Sequence, residues 1–213
     1  MVTGARPMQE GPRKARAQAL ARERLAALDP WLVAQRSGAS YAVDPVSAWE
    51  VAFLGRVHRV SCPSGEVTVL PEGAPAKHAA SLILLHYMAQ ASGAPLLGRW
   101  VAFRELPDGL LYQSAFRGRV EPPLVAAFGN RPERLEAVGR ALGGRALGLG
   151  DVSFALHVLP RVAMAVILHT GDDEFAPDIR LLFDGVAGQY LPTEDLAILG
   201  GLLTGLLLKT ARC

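Results

Sequence analysis

Three clusters of polar side chains stand within or at the ends of apolar runs of the sequence, and each carries residue types suited to some chemistry. Asp172-Asp173-Glu174 comes just after the run that closes at His169. Adjacent carboxylates at a strand end can bind a hard cation or share a proton, and His169 adds a nitrogen donor, so these four residues are the candidate metal ligands. The spacing lacks the alternating oxygens of an EF-hand loop, and the competing reading is a solvated turn that blunts a sheet edge. His157 lies on a neighbouring strand candidate, but two imidazoles without a third ligand make a weak zinc site.

The other two clusters are candidates for holding a ligand or cofactor. Arg104-Glu105 follows Phe103, where a carboxylate can act as general acid or base if a cleft raises its pKa. The simpler reading is an ion pair that steadies the turn Leu106-Pro107-Asp108-Gly109. His86-Tyr87 sits inside an apolar helical pattern, where a neutral histidine can be an axial ligand to a tetrapyrrole or corrinoid metal. The alternative is a core histidine bonded to a backbone carbonyl. Several catalytic signatures are absent from the sequence. There is no Gly-x-Ser-x-Gly elbow, and Gly143-Gly144, Gly148 and Gly150 match neither a phosphate loop nor a dinucleotide fingerprint.

These clusters need elements to position them. Ala17, Leu20, Ala21, Leu25, Leu28 and Leu32 follow helical spacing, and Pro30 divides the segment, with Asp29 capping the second part. Trp49 to Ser61 reads as a hairpin turning near Gly55, and a third strand around Val67 follows the turn Pro63-Ser64-Gly65. Ala76 to Ser92 is a helix, with Gly93 as its C-terminal cap. A short strand at Trp100–Phe103 precedes an apolar stretch, Leu111–Phe116, whose type is open. Helices are expected at Pro123–Phe128 and Pro132–Leu142, the second closed by Gly143-Gly144. Phe154–Leu159, Val162–His169 and Ile179–Phe183 form a second β group, compatible with membership of the same sheet as the first. The last helix starts at Thr193, whose hydroxyl is placed to cap it, and runs apolar almost all round, which implies burial on several sides.

Regular strand–helix alternation is missing, so the fold class is α+β, an antiparallel or mixed sheet packed by helices behind an N-terminal helical arm. The expected organisation is a basic helical arm over residues 1–40 and a single α+β domain over 41–213. Residues 1–36 carry seven Arg/Lys against three Asp/Glu, while the rest carries 15 against 17. A basic arm can touch nucleic acid or a membrane surface, yet this one has no Arg-Gly repeats and no interleaved aromatics, so nucleic acid is not the expected partner. The stretch Leu196–Leu208 spans 13 residues, too short for a bilayer, which takes about 20. Two cysteines, Cys62 and Cys213, form no disulfide framework, and residues 1–24 contain no apolar signal segment. A reducing cytoplasm is the expected compartment.

Several longer phrases carry a resemblance. They are Leu84-Leu85-His86-Tyr87, Gly98-Arg99-Trp100-Val101-Ala102-Phe103-Arg104-Glu105-Leu106-Pro107, Gly171-Asp172-Asp173-Glu174-Phe175, Leu182-Phe183-Asp184 and Tyr190-Leu191-Pro192-Thr193-Glu194-Asp195-Leu196. With Ala115-Phe116, Arg119, Pro123-Leu124 and Phe128-Gly129 they extend over about residues 50–208 in one order. In this the chain resembles a bacterial and archaeal family known as domain of unknown function 3786. The resemblance implies no established activity. Longer relatives look like fusions to a cysteine-rich iron–sulfur segment, which hints at anaerobic redox or corrinoid metabolism. This chain lacks those cysteines, so cluster binding does not carry over.

The functional expectation is a non-catalytic domain binding a small ligand or cofactor in a pocket around His86, with Arg104, Glu105 and the acidic loop at its rim. A protein-interaction module using the basic arm and the last helix is the alternative. An acid–base or metal-assisted enzyme using Glu105 and the acidic loop ranks third.

Overall fold

The apolar runs sort into two antiparallel sheets and six helices in a computed structural model that describes residues 10–212. The first nine residues of the basic arm and Cys213 lie outside the described residues. The chain is α+β, with every strand pair antiparallel.

Helices α1 (Glu10–Ala26) and α2 (Pro30–Ser37) are separated where Pro30 interrupts the pattern. Asp29 caps α2, its carboxylate accepting the Leu32 N–H at 2.8 Å. Both helices are packed down. Ala21 and Leu25 of α1 are buried, as is Val33 of α2, and the Trp49 indole donates to the Pro30 carbonyl at 2.9 Å.

The first sheet runs β1 (Ser40–Ala42), β2 (Ala48–Phe53), β3 (Arg56–Ser61), β4 (Val67–Val69) and β5 (Ala74–Pro75), a meander in chain order. Helix α3 (His78–Gln90) follows and lies against α1 and α2. It stops at Gln90, so Gly93, with φ of +82°, turns the chain three residues beyond the helix rather than capping it.

The second sheet has the order β6 (Trp100–Ala102), β10 (Asp178–Asp184), β9 (Val162–His169), β8 (Val152–Leu159) and β7 (Arg145–Ala146). Its central strand β9 is buried without a break from Val162 to Leu168, which explains why its residues do not alternate apolar with polar. The two β groups are therefore separate sheets, not one. They meet where the Leu54 N–H, just past β2, donates to the Val158 carbonyl of β8 at 2.9 Å.

Two helices lie between β6 and the second sheet's remaining strands in sequence. Helix α4 (Gly109–Phe128) is continuous through Pro122 and Pro123, where the sequence pattern suggested an apolar segment and a separate short helix. An interior proline costs about 3 kcal/mol in a helix. Here Phe116, Val120, Leu124 and Phe128, one buried stripe at four-residue spacing, hold the helix through it. Helix α5 (Pro132–Ala141) starts on its proline and lies against β8, where Gly139 leaves room for the Phe154 ring.

The last helix, α6 (Thr193–Thr210), buries Leu196, Leu199, Leu203 and Leu207. Thr193 does not cap it: the hydroxyl donates instead to the Pro107 carbonyl at 2.6 Å, tying the helix start to the segment that leads into α4. Among the described residues no helix is long and apolar enough to cross a membrane.

Candidate functional site

His86 and Tyr87 are neighbours in α3 that face different surroundings. His86 keeps about a fifth of its side chain exposed, and its Nδ1 lies 2.6 Å from Oδ2 of Asp195 in the first turn of α6. An ionised carboxylate only accepts, so Nδ1 carries the proton of this pair. Asp195 is buried. The pair clasps α3 to α6 across 109 residues of sequence. Asp195 is visible in the sequence only as an acidic residue at a helix start, and nothing local announces its partner.

Tyr87 is fully buried. Its hydroxyl donates to the Ser37 carbonyl at the end of α2 and accepts the Arg161 N–H, in the turn between β8 and β9, at 3.1 Å. Burial pushes the phenol pKa well above its ordinary value, with only partial relief from the Arg161 N–H. The ring stacks on Tyr190 at 5.7 Å between centroids, and the Tyr190 hydroxyl donates to the Ala94 carbonyl. Tyr87 thus joins three elements from the inside.

Near the Tyr190 segment lies a second buried anchor, Asp184, at 1% exposure. Its carboxylate accepts the N–H groups of Leu97 (3.0 Å), Gly98 (2.7 Å) and Val186 (3.1 Å). It also stands opposite Trp100 in the β6–β10 register. The runs Gly98-Arg99-Trp100 and Leu182-Phe183-Asp184 are therefore two halves of one junction.

The acidic loop is outside this packing. Asp172 accepts the backbone N–H groups of Phe175 (2.7 Å) and Glu174 (2.9 Å), which hold its carboxyl below the usual range. Asp173 and Glu174 are exposed, and His169 is exposed at the end of β9. Among the described residues no three His, Cys, Asp or Glu side chains come together at a metal's reach.

Arg104 and Glu105 share a 3-10 turn after β6, yet they diverge. The Glu105 carboxylate accepts the Ala102 N–H at 2.7 Å and so closes its own turn. Arg104 has no hydrogen bond or ion pair among the described residues. It lines a cleft of about 180 Å³ between α4 and the edge formed by β6 and β10, together with Gln113, Arg117, Glu121 and Arg180. Of the eight candidate residues, Arg104 alone lines a groove along α4.

The cleft floor is aromatic. Phe103 and Phe116 stack at 4.3 Å with ring planes 11° apart, and Phe183 packs beside them. Phe116 reaches this position over Gly200 of α6, where a Cβ would come within 2.6 Å of the ring. On the walls, Arg117 Nε donates to both Glu121 oxygens at 2.8 and 2.9 Å, and Arg180 Nε donates to Asp178 at 2.6 Å. Glu121 holds the Arg117 guanidinium charged, above the ordinary arginine value, and Asp178 adds to this from nearby. Beyond the aromatic stack, α4 and α6 enclose a more apolar groove of about 260 Å³ lined by Tyr112, Ala115, Arg119, Ala197 and Ile198.

Sequence reasoning singled out Arg104 but missed Gln113, Arg117 and Arg180. The α4 pair Arg117 and Glu121 has the four-residue spacing of an ion pair on one helix face. Arg180 alternates with buried neighbours on β10. Neither pattern alone says that the two surfaces face each other.

One comparison by sequence covers most of this architecture. The model of the family described as "Domain of unknown function (DUF3786)" matches residues 29–205, from the Asp29 cap of α2 into the last turns of α6. The chain belongs to that family. No curated protein and no solved structure matches it.

Proposed function

We propose that this protein is a non-catalytic binding domain for a small ligand, held in the cleft between α4 and the β6–β10 edge. The observation that carries this reading is Arg104, a guanidinium without a partner among the described residues, set at a cleft with a buried aromatic floor. Binding sites commonly combine a mostly apolar lining with a few placed polar groups. The carboxylates of Glu105, Asp172, Asp184 and Asp195 all have partners within the chain, and the exposed His169, Asp173 and Glu174 lie away from the grooves along α4. His86 serves the α3–α6 clasp, and its role as the centre of a ligand pocket is not part of this proposal. A thermal-shift screen of a chemically mixed metabolite library tests the reading. At least one compound raises the melting temperature of the native protein and fails to do so for Arg104→Ala. A screen in which no stabilising compound depends on Arg104 refutes it.

A second reading rests on a different surface. Leu110, Leu111 and Tyr112, consecutive in the first turn of α4, are 72%, 78% and 48% exposed. Large apolar side chains grouped on a surface mark interaction sites. A protein-interaction module would use this turn rather than α6, whose leucines are packed inside. Leu110→Glu with Leu111→Glu abolishes a captured partner under this reading and leaves ligand-induced shifts intact.

A further inference from the structure

The charges and dimensions of the Arg104 cleft narrow the kind of ligand it suits, on the premise that the cleft is the binding site. We infer that the ligand is a small monocarboxylate with a short apolar or aromatic body.

Charge comes first. Arg104, Arg117 and Arg180 stand in the cleft against Glu121, with Asp178 paired to Arg180 at its edge. Glu121 and Asp178 offset two guanidinium groups, so one positive charge is in surplus. A single carboxylate neutralises that surplus. A phosphate monoester or polyphosphate would bring excess negative charge beside Glu121 and Asp178, where like charges repel.

Geometry agrees with charge. Arginine offers a planar fork of N–H donors that matches the two oxygens of a carboxylate. Arg117 and Arg180 spend their inner Nε–H groups on Glu121 and Asp178. Half-buried Gln113 adds an amide that can donate or accept.

Size and polarity set the body of the ligand. The cleft volume of about 180 Å³ corresponds to roughly six waters at their liquid share of about 30 Å³ each. That is room for one ring or a short branched chain; a nucleotide or a macrocycle would have to extend past it into the neighbouring groove of about 720 Å³, which shares Gln113, Arg117 and Glu121. Phe103, Phe116 and Leu181 are buried beneath it and present an apolar floor.

The test is isothermal titration calorimetry with a panel of monocarboxylates from acetate to benzoate and 3-phenylpropanoate. The matched amides, benzyl phosphate and inorganic phosphate are the controls. At least one carboxylate binds at one site per chain, and its amide and the phosphates bind about tenfold more weakly or less, the loss expected when a charged hydrogen-bonded pair is removed. Arg104→Ala weakens the carboxylate by a similar factor while leaving the melting temperature unchanged, and Arg104→Lys restores only part of it.

If benzyl phosphate or an amide binds as tightly as the carboxylate and still depends on Arg104, the ligand class is wrong and the cleft remains the site. If no monocarboxylate binds, the class is likewise wrong. The metabolite screen against Arg104→Ala then decides separately whether the cleft binds anything.

Discussion

The seam around Tyr87, Tyr190 and Asp184 and the cleft beside Arg104 use the same materials, polar groups set against aromatic rings, and finish them in opposite ways. In the seam, each hydroxyl and carboxylate is buried and satisfied, and apart from the Val186 amide beside Asp184 the partners come from distant parts of the chain. At the cleft the rings are just as well packed, but the three guanidinium groups above them are exposed, and Arg104 is left without a protein partner among the described residues. The contrast teaches that a polar residue next to an apolar run has no fixed meaning. Where a backbone amide or a carboxylate reaches it, it is part of the architecture; where none does, it is available to a ligand.

Substitutions on the two sides should separate sharply. The largest effect on stability is expected for Asp184→Ala, which leaves three N–H groups without their acceptor and costs roughly 3–5 kcal/mol. Urea unfolding measures this as a lowered midpoint at constant slope. His86→Ala comes next at about 2 kcal/mol, because it strands the buried Asp195 carboxylate while the imidazole itself is partly exposed to water. A loss no greater than that of a surface substitution would remove the clasp from the architectural side of the contrast.

Tyr87→Phe should cost about 1–2 kcal/mol, since it leaves the Arg161 N–H and the Ser37 carbonyl without their shared partner. It also has a signature in pH. The folded phenol pKa is raised above the ordinary value of 10.0, so the folded state keeps a proton that the unfolded chain releases. The associated stability is complete below pH 10 and is lost as the pH rises beyond it. Denaturation followed between pH 8 and 12 should therefore show a shallower alkaline decline for Tyr87→Phe than for the native chain. The smallest effect belongs to Arg104→Ala, within about 0.5 kcal/mol in the same urea experiment. A large loss there would show that Arg104 supports the fold and would erase the distinction between cleft and seam.

Much of the framework was readable from local patterns. Asp29 does cap α2, Pro132 does open α5, and the apolar runs of β8 and β9 are strands, β9 covered on both sides and β8 interrupted by the exposed His157. Local signals failed where a distant contact outweighed them. The two prolines of α4 read as a helix boundary, but the four-residue stripe from Phe116 to Phe128 is buried and carries the helix across them. Thr193 has the chemistry of a cap, yet the Pro107 carbonyl takes its hydroxyl. Among the candidate residues, Arg104 and Glu105 are adjacent and chemically equal in promise, and only the Ala102 amide distinguishes them.

By itself the sequence determined the α+β class, the family and most of the elements, because hydrophobic period, caps and turn residues act over a few positions. Only the tertiary structure decided that His86 meets Asp195, that Asp184 gathers the amides before β6, and that Arg104, Arg117 and Arg180 border one cleft. The reason is physical: each of these arrangements joins segments far apart in the chain. Their meeting is fixed by how the helices and sheets pack, and the identity of a residue does not record which distant surface packing will bring to it.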